Sequence, residues 1–385
     1  MGIIKFLYKS LIFTLPLPAE REIKEIPFEN YAYFHASSMG EVMSLKPLVK
    51  KFSQDYPCVV TVFTKPGKKR AEEFFKRKTL IYYFPWDKQC EIEKVLRNAK
   101  FVVLAESEFW PNLLEIAFKR KKKLFLVNGK ISKQSFYFYN NIFKDIKKYI
   151  GAFEFAFLQD KKYEKFYKML GIPEHRIATL KNLKYDSIEK DVEPLFEKKD
   201  FIVTFGSVRR DEVNIFIDVI EKILNKNKNL KVIIAPRHLI NTGFIESKLK
   251  DRGIEYEKRS EKKVPSKRVF ILDTLGELIR VWKITDVAIV GGTFGNHGGH
   301  NLAEPASLGV PVVFGNSVHN VEEVANKLIK KRGGVKVEGE ELFNTLEKLI
   351  EDDVTRENTG RNAGKTIESL KGASEIIYNK IKEMV

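Results

Sequence analysis

Short apolar runs alternate with charged, helix-patterned stretches along most of the chain. In the first half the runs are YAYFH (31–35), CVVTVF (58–63), LIYYF (80–84), FVVLA (101–105), LFLV (124–127) and FEFAFL (153–158). They are rich in β-branched and aromatic residues, which predicts strands, and their alternation with helices predicts parallel pairing through crossover helices. SIEKDVEPLFEKKD (187–200) is polar, contains a proline and lacks a strand pattern, so it reads as a linker. The pattern then restarts with FIVTFG (201–206), LKVIIAP (230–236), RVFIL (268–272), DVAIVGG (286–292) and VPVVFG (310–315). The expected fold class is therefore α/β, with two doubly wound domains at 19–190 and 191–355. A leading segment 1–18 precedes them, and a C-terminal helical tail, 356–385, is expected to pack back on the first domain. Two such domains bind ligands at their strand ends.

The leading segment, MGIIKFLYKSLIFTLPLPAE, is apolar with two lysines. Gly2 to Pro18 falls slightly short of the ~20 residues that span a bilayer. Lys5 and Lys9 are four apart and so share a helix face, as an interfacial helix requires. A signal peptide would need a small-residue cleavage site, which is missing. The segment is read as an interfacial or marginally spanning anchor, ahead of a buried first helix or a signal peptide.

Composition narrows the class. The 385 residues are 43% hydrophobic, which excludes global disorder. Two cysteines without paired spacing fit a reducing compartment, and no Cys/His cluster has zinc-site spacing. The net charge is +17, and residues 1–185 hold 35 Lys+Arg against 19 Asp+Glu, whereas the rest hold 33 against 32. A basic first half calls for an anionic partner: nucleic acid, an acidic membrane or a phosphorylated lipid. No nucleic-acid motif appears, so a nucleic-acid binder rests on charge alone.

Candidate chemistry gathers at strand ends. HASSMGE (35–41) closes the first strand with small residues, a turn-forming Gly40, and Glu41 in the first turn of a helix. There the helix dipole favours the ionised carboxylate, a candidate general base or a plain helix-start Glu. ESEFWPNLL (106–114) places Glu106 and Glu108 after the fourth run, with Pro111 suited to a first helical turn. Arg237 and His238 in APRH suit a phosphate, and DTLGEL (273–278) reads as a capping box, Thr274 to Glu277. VGGTFGNHGGHNLAEPASLG (290–309) is glycine-rich, has His297 and His300 three apart, and places Glu304 and Gly309 in a helix. It is neither a phosphate loop nor a dinucleotide fingerprint.

Taken in order, these stretches resemble the Kdo transferases, which add 3-deoxy-manno-octulosonic acid to lipid A precursors. The resemblance runs through HASSMGE, ESEFWPNL, NGKIS (128–132), NLKYD (182–186), GSVRRDE (206–212), PRH (236–238), DTLGEL and GGHNLAEPA (298–306). It implies a GT-B glycosyltransferase, with two Rossmann-like domains facing across a cleft, and inverting transfer from CMP-Kdo. It implies Glu41 as catalytic base. Donor binding would fall to Ser207, Arg237, His238, Leu275, Gly276, Glu277, Asn301 and Glu304. His35, Ser37, Ser38, Gly40, Glu106, Lys130 and Lys184 would line the acceptor side. No metal or other cofactor is expected.

The implied partners are CMP-Kdo, a phosphorylated lipid A precursor and the anionic inner membrane, whose cytoplasmic face would hold the chain; nucleic acid is not among them. Deleting residues 1–18 is then expected to spare turnover on dispersed acceptor. Arg209 stands where the family usually has His, Lys130 where Arg is common, and Lys181 where Gly is usual. Ala303 also departs from the pattern. Another GT-B transferase or a sugar-nucleotide epimerase remains the alternative, and it would prefer UDP to CMP.

Overall fold

The computed structural model describes residues 3–76 and 78–385. The chain divides into two compact units: the residues up to Ser187 together with Leu370–Val385, and Ile188–Ser369.

The first unit is built on seven parallel strands: β1 (Tyr31–Ala36), β2 (Cys58–Val62), β3 (Thr79–Tyr83), β4 (Ala99–Ala105), β5 (Lys123–Gly129), β6 (Phe155–Leu158) and β7 (Ile177–Thr179). Their order is β3-β2-β1-β4-β5-β6-β7. Side chains alternate across the sheet, so Tyr31 and Tyr33 enter one core layer while Ala32, Phe34 and Ala36 enter the other. Both layers are covered by helices, which is why every residue of β1 is buried. The order reverses between β1 and β4. A crevice opens at such a switch point, at the carboxyl ends of the strands.

The second unit repeats the plan with β8 (Phe201–Val208), β9 (Leu230–Pro236), β10 (Tyr256–Lys258), β11 (Val269–Ile271), β12 (Val287–Val290), β13 (Val312–Phe314) and β14 (Gly334–Lys336). The order is β10-β11-β9-β8-β12-β13-β14, again all parallel. Its switch point lies between β8 and β12. β7, β10 and β14 have no counterpart among the apolar runs. Each is three residues long and lies at or next to a sheet edge, where few positions need be apolar.

The tail is two helices rather than one. Asp353–Glu368 stays with the second unit, and only Ala373–Met384 joins the first. There Ala373, Ile377 and Ile381 are buried in the layer formed by Phe34 and Phe52, and Asp186 caps the helix by accepting from Gly372 N (2.7 Å) and Ser374 N (2.6 Å).

Helix α1 (Ile3–Thr14) has 12 residues and so is about 18 Å long, and among the described residues no helix is long and apolar enough to cross a membrane. It lies against the first unit. The Tyr8 hydroxyl donates to Asp87 (2.9 Å), Lys9 pairs with Glu115 (2.7 Å), and Lys88 Nζ donates to the Phe13 carbonyl (2.8 Å). Lys9 is thus turned inward, not toward a headgroup layer; the side chain of Lys5 lies outside the described part. Leu7, Leu11 and Phe13 face outward, Phe13 being 85% exposed.

Candidate active site

At the first switch point, β1 hands over to helix α2 (Met39–Asp55) through Ser37 and Ser38. Ser38 is the N-cap and accepts from Glu41 N (3.3 Å). Glu41 reaches back, Oε2 accepting from Ser37 N (2.8 Å) and Oε1 from Ser38 Oγ (2.9 Å). Capping alone would account for these bonds. It does not account for the second carboxylate. The turn after β4 brings Glu108 to Ser37, whose hydroxyl donates to Glu108 Oε2; Trp110 Nε1 donates to the same oxygen at 2.8 Å.

These surroundings separate the two carboxylates. Burial, then the nearby Glu108 charge, pushes Glu41 up to about 7. Burial would raise Glu108 too, but the adjacent His35 and the hydrogen bonds from Ser37 and Trp110 hold it below the usual carboxylate value. The expectation that the helix dipole keeps Glu41 ionised is therefore overturned: desolvation outweighs a dipole effect of about 1 kcal/mol. A carboxylate poised near 7 beside an ionised one can accept a proton from a hydroxyl.

The other residues expected on the acceptor side fall differently. His35 is fully buried, with Nδ1 2.9 Å from Thr61 Oγ1 and its ring 4.3 Å from that of Phe84, so it walls the site and does not line its surface. Its Nε2 lies 3.5 Å from Glu108, long for a hydrogen bond. Gly40 makes no turn; it is helical, and a Cβ there would meet nothing nearer than Ser38 Oγ at 3.8 Å. It leaves an open flank beside Glu41. Glu106, with φ 54°, pairs with Lys130 (2.7 Å), and burial raises its pKa despite that partner. Lys184 is on the turn Leu183–Tyr185, over the Tyr185 ring.

At the second switch point, Ser207 near the end of β8 has φ 58°, a strained value for a non-glycine residue. Five basic side chains converge beside it. Arg209 Nε donates to His300 Nε2 (3.1 Å), and Arg209 Nη1 lies 3.1 Å from His238 Nε2. Burial, then Arg237, Arg209, His297 and His238, lowers His300 to about 4. Buried Glu212 organises the glycine loop above them, accepting from Arg209 N, Gly292 N (2.8 Å) and Phe294 N (2.9 Å). The cluster is a ready anion site.

Two expectations fail here. DTLGEL forms no capping box: the helix starts at Leu278, Thr274 Oγ1 donates to the Glu277 carboxylate (2.6 Å) without capping the backbone, and Glu277 also holds Arg259 in a bidentate pair (3.0 and 2.9 Å). Leu275 is 77% exposed, and Gly276 has φ 83°. Gly309 is not in the helix with Glu304, which spans only Ala303–Ser307. Asn301 caps it, accepting from Ala303 N (3.0 Å). His297 is paired with Asp211 (2.9 Å), and the described residues contain no cluster of three or more His, Cys, Asp or Glu placed to hold a metal.

Arg209 and Glu212 were not among the expected site residues, and Glu108, named with Glu106 as a strand-end carboxylate, was assigned to neither the donor nor the acceptor side, although the motifs ESEFWPNL and GSVRRDE contain all three. Asp87, which supports the loop bearing Glu108, carried no sequence signal.

Two parallel-sheet, Rossmann-like units, each with a site at its switch point, define the GT-B fold, and comparison with known proteins makes the chain a glycosyltransferase of that fold. Residues 14–187 match the model of the 3-deoxy-D-manno-octulosonic-acid transferases (kdotransferases), and residues 186–366 match that of the glycosyl transferases group 1. The chain is 32% identical to the 3-deoxy-D-manno-octulosonic acid transferase of Chlamydia muridarum, over 84% of this chain and 79% of that one. With the Haemophilus influenzae enzyme of the same name, the identity is 28% over 91% and 86%. A bifunctional glycosyltransferase/methyltransferase of Fusobacterium nucleatum is 30% identical over 86% of this chain, which spans only 54% of its length. Among solved structures, UDP-GlcNAc 2-epimerase from Neisseria meningitidis shares the fold (TM-score 0.61, 12% identity, 92% of this chain and 100% of that one). A glycosyltransferase from Rickettsia africae does so too (TM-score 0.59, 13% identity, 93% and 98%). The chain belongs to the Kdo transferase family.

Proposed function

We propose that the chain transfers Kdo from CMP-Kdo, with inversion, to a hydroxyl of the tetraacyl disaccharide precursor of lipid A. The observation that carries this reading is the buried corner at the first switch point of a Kdo transferase family chain, where Glu41 accepts from Ser37 N and Ser38 Oγ, and the Ser37 hydroxyl donates to Glu108. In the step, the acceptor oxygen forms a bond to the anomeric carbon and passes its proton to Glu41. The bond from that carbon to the phosphate oxygen breaks, and CMP leaves with the electron pair. The attacking oxygen and the leaving group lie on opposite faces of the sugar, hence inversion. Arg237, Arg209 and the neighbouring histidines answer the charge on the departing phosphate, so no divalent cation is required.

The test is purified protein with CMP-Kdo and detergent-dispersed tetraacyl precursor, with and without EDTA. A Kdo-bearing product of inverted configuration, formed equally with EDTA, is expected. Failure with CMP-Kdo but turnover of a UDP-sugar would overturn the donor assignment.

The same reading places the chain on the cytoplasmic face of the inner membrane. Its first half carries nearly all the net positive charge, and α1 turns Leu7, Leu11 and Phe13 outward. Sedimentation with vesicles rich in anionic phospholipid is expected to carry the protein down. The double variant Leu11→Ser/Phe13→Ser should stay largely in the supernatant; equal sedimentation of both would sink the membrane assignment.

A further inference from the structure

An unbroken line of contacts runs from α1 to Glu41. Asp87, on the loop after β3, is fully buried and has φ 57°. Its Oδ2 accepts from Tyr8 Oη (2.9 Å) on α1 and from Asn112 N (2.7 Å), while Oδ1 accepts from Leu113 N (2.9 Å). Asn112 Nδ2 closes the ring on the Asp87 carbonyl (2.7 Å). These amides open helix α3 (Pro111–Lys119), whose N-cap residue is Trp110. Trp110 holds Glu108, Glu108 holds Ser37, and Ser37 holds Glu41. Every step is a hydrogen bond or lies within one helical turn.

The loop Glu106–Trp110 needs such support. Glu106 sits in the left-handed region, so the loop stores strain that its flanks must absorb. On one flank, Tyr167 Oη donates to the Glu106 carbonyl (3.0 Å). On the other, Asp87 fixes the helix start, and among the described residues Tyr8 is the one donor to Asp87 that comes from outside the segments next to the site. A buried carboxylate that loses a donor forfeits a charge-assisted bond and is pressed to move or to take up a proton.

We propose that Tyr8 and Asp87 are positioning residues for the transfer reaction, so that the docking of α1 sets the placement of Glu108 and, through it, the proton-accepting power of Glu41. The inference rests on Glu41 being the base. The anchor is then not separable from catalysis: removing residues 1–18 costs turnover on dispersed acceptor as well as membrane attachment. This departs from the sequence-based expectation of a detachable anchor.

Tyr8→Phe tests it. The change removes one hydroxyl and leaves the ring beside Phe143 and the outward face of α1 intact. On dispersed acceptor, kcat is expected to fall about 3- to 10-fold. The acid limb of the kcat/KM profile should also move to lower pH, because a displaced Glu108 no longer raises Glu41. The charged and titratable groups facing the two carboxylates are Glu106, His35 and Tyr139, with Lys9 facing Asp87, and none of them is altered. Amide exchange at Asn112 and Leu113 should quicken.

The inference stands if kcat and the limb both move, and it fails if either stays in place. Asp87→Asn should shift both further; if it does not fold, Tyr8→Phe decides alone. If the wild type transfers no Kdo, the transferase reading falls, and exchange at Asn112 and Leu113 in Tyr8→Phe then decides whether α1 supports the loop.

Discussion

Glu41→Gln is expected to lower kcat by about 10²–10⁴-fold while making the protein more stable at pH 8. The two effects share one cause. Burial, then the Glu108 charge, opposes ionisation of Glu41 and pushes its pKa in the folded protein up from the ordinary 4.5 to about 7. An acid raised on folding binds its proton more tightly in the native state, so wild-type stability falls as pH rises from about 4.5 to about 7. The loss is at most about 3 kcal/mol, and all of it is present above pH 7. Glutamine cannot ionise, and its amide oxygen still accepts from Ser37 N. The stability difference between variant and wild type should therefore grow from pH 5 to pH 8, read from denaturant midpoints.

For the wild type, kcat/KM should climb about tenfold per pH unit below about 7 and then level off. Glu108→Gln removes the like charge and should move that limb to lower pH. A Glu41→Gln protein that turns over normally, or a stability difference flat with pH, would remove Glu41 from the role of base.

The division of labour between the carboxylates explains why the site was only half legible. All eleven apolar runs are strands, because a strand buried on both faces must be apolar throughout, and that shows in one dimension. The alternation with helices was enough for the α/β class, and the small residues after β1 marked a strand end. Glu41 could be found because its motif is local. Glu108 could be named as a strand-end carboxylate, but its role could not be read, because that role comes from Ser37, 71 residues away, and depends on β4 lying next to β1.

Desolvation is equally invisible in one dimension. The sequence placed Glu41 in a first helical turn and so suggested an ionised group; the layers around β1 reverse that. DTLGEL misleads for the opposite reason. Its spacing is that of a capping box, but Arg259, from a strand-edge loop, claims the Glu277 carboxylate. Arg209 looked like a departure from the family pattern. In three dimensions it is the group that joins His238 to His300.

Arg237→Met should weaken CMP binding by about 10- to 100-fold, the effect of losing a charge-assisted hydrogen bond of about 1.5–3 kcal/mol. The Arg237 backbone, just past the end of β9, is fixed, its N–H donating to Val208 O (2.9 Å) at the end of β8. Its guanidinium is exposed and makes no hydrogen bond or ion pair among the described residues, unlike Arg209, which is engaged with two imidazoles. A cation left free in a cluster of five basic groups repels its neighbours until an anion arrives. His300 records that repulsion: burial and then Arg237 lower it to about 4, so it is neutral at pH 7 and able to accept from Arg209. Removing Arg237 should therefore raise the His300 pKa, which imidazole proton resonances followed through a pH titration would report.

The two readouts together separate phosphate recognition from general damage. Calorimetry should show CMP affinity reduced in Arg237→Met and cytidine affinity, which lacks the phosphate, little changed. Equal losses for CMP and cytidine would mean that Arg237 shapes the nucleoside pocket. Equal CMP affinity in variant and wild type would move the phosphate elsewhere. If the transition state gathers more charge on the leaving phosphate than the bound donor carries, kcat should fall as well as affinity. A variant with weaker CMP binding and unchanged kcat would limit Arg237 to holding the donor, and the departing charge would then fall to Arg209 and the histidines around it.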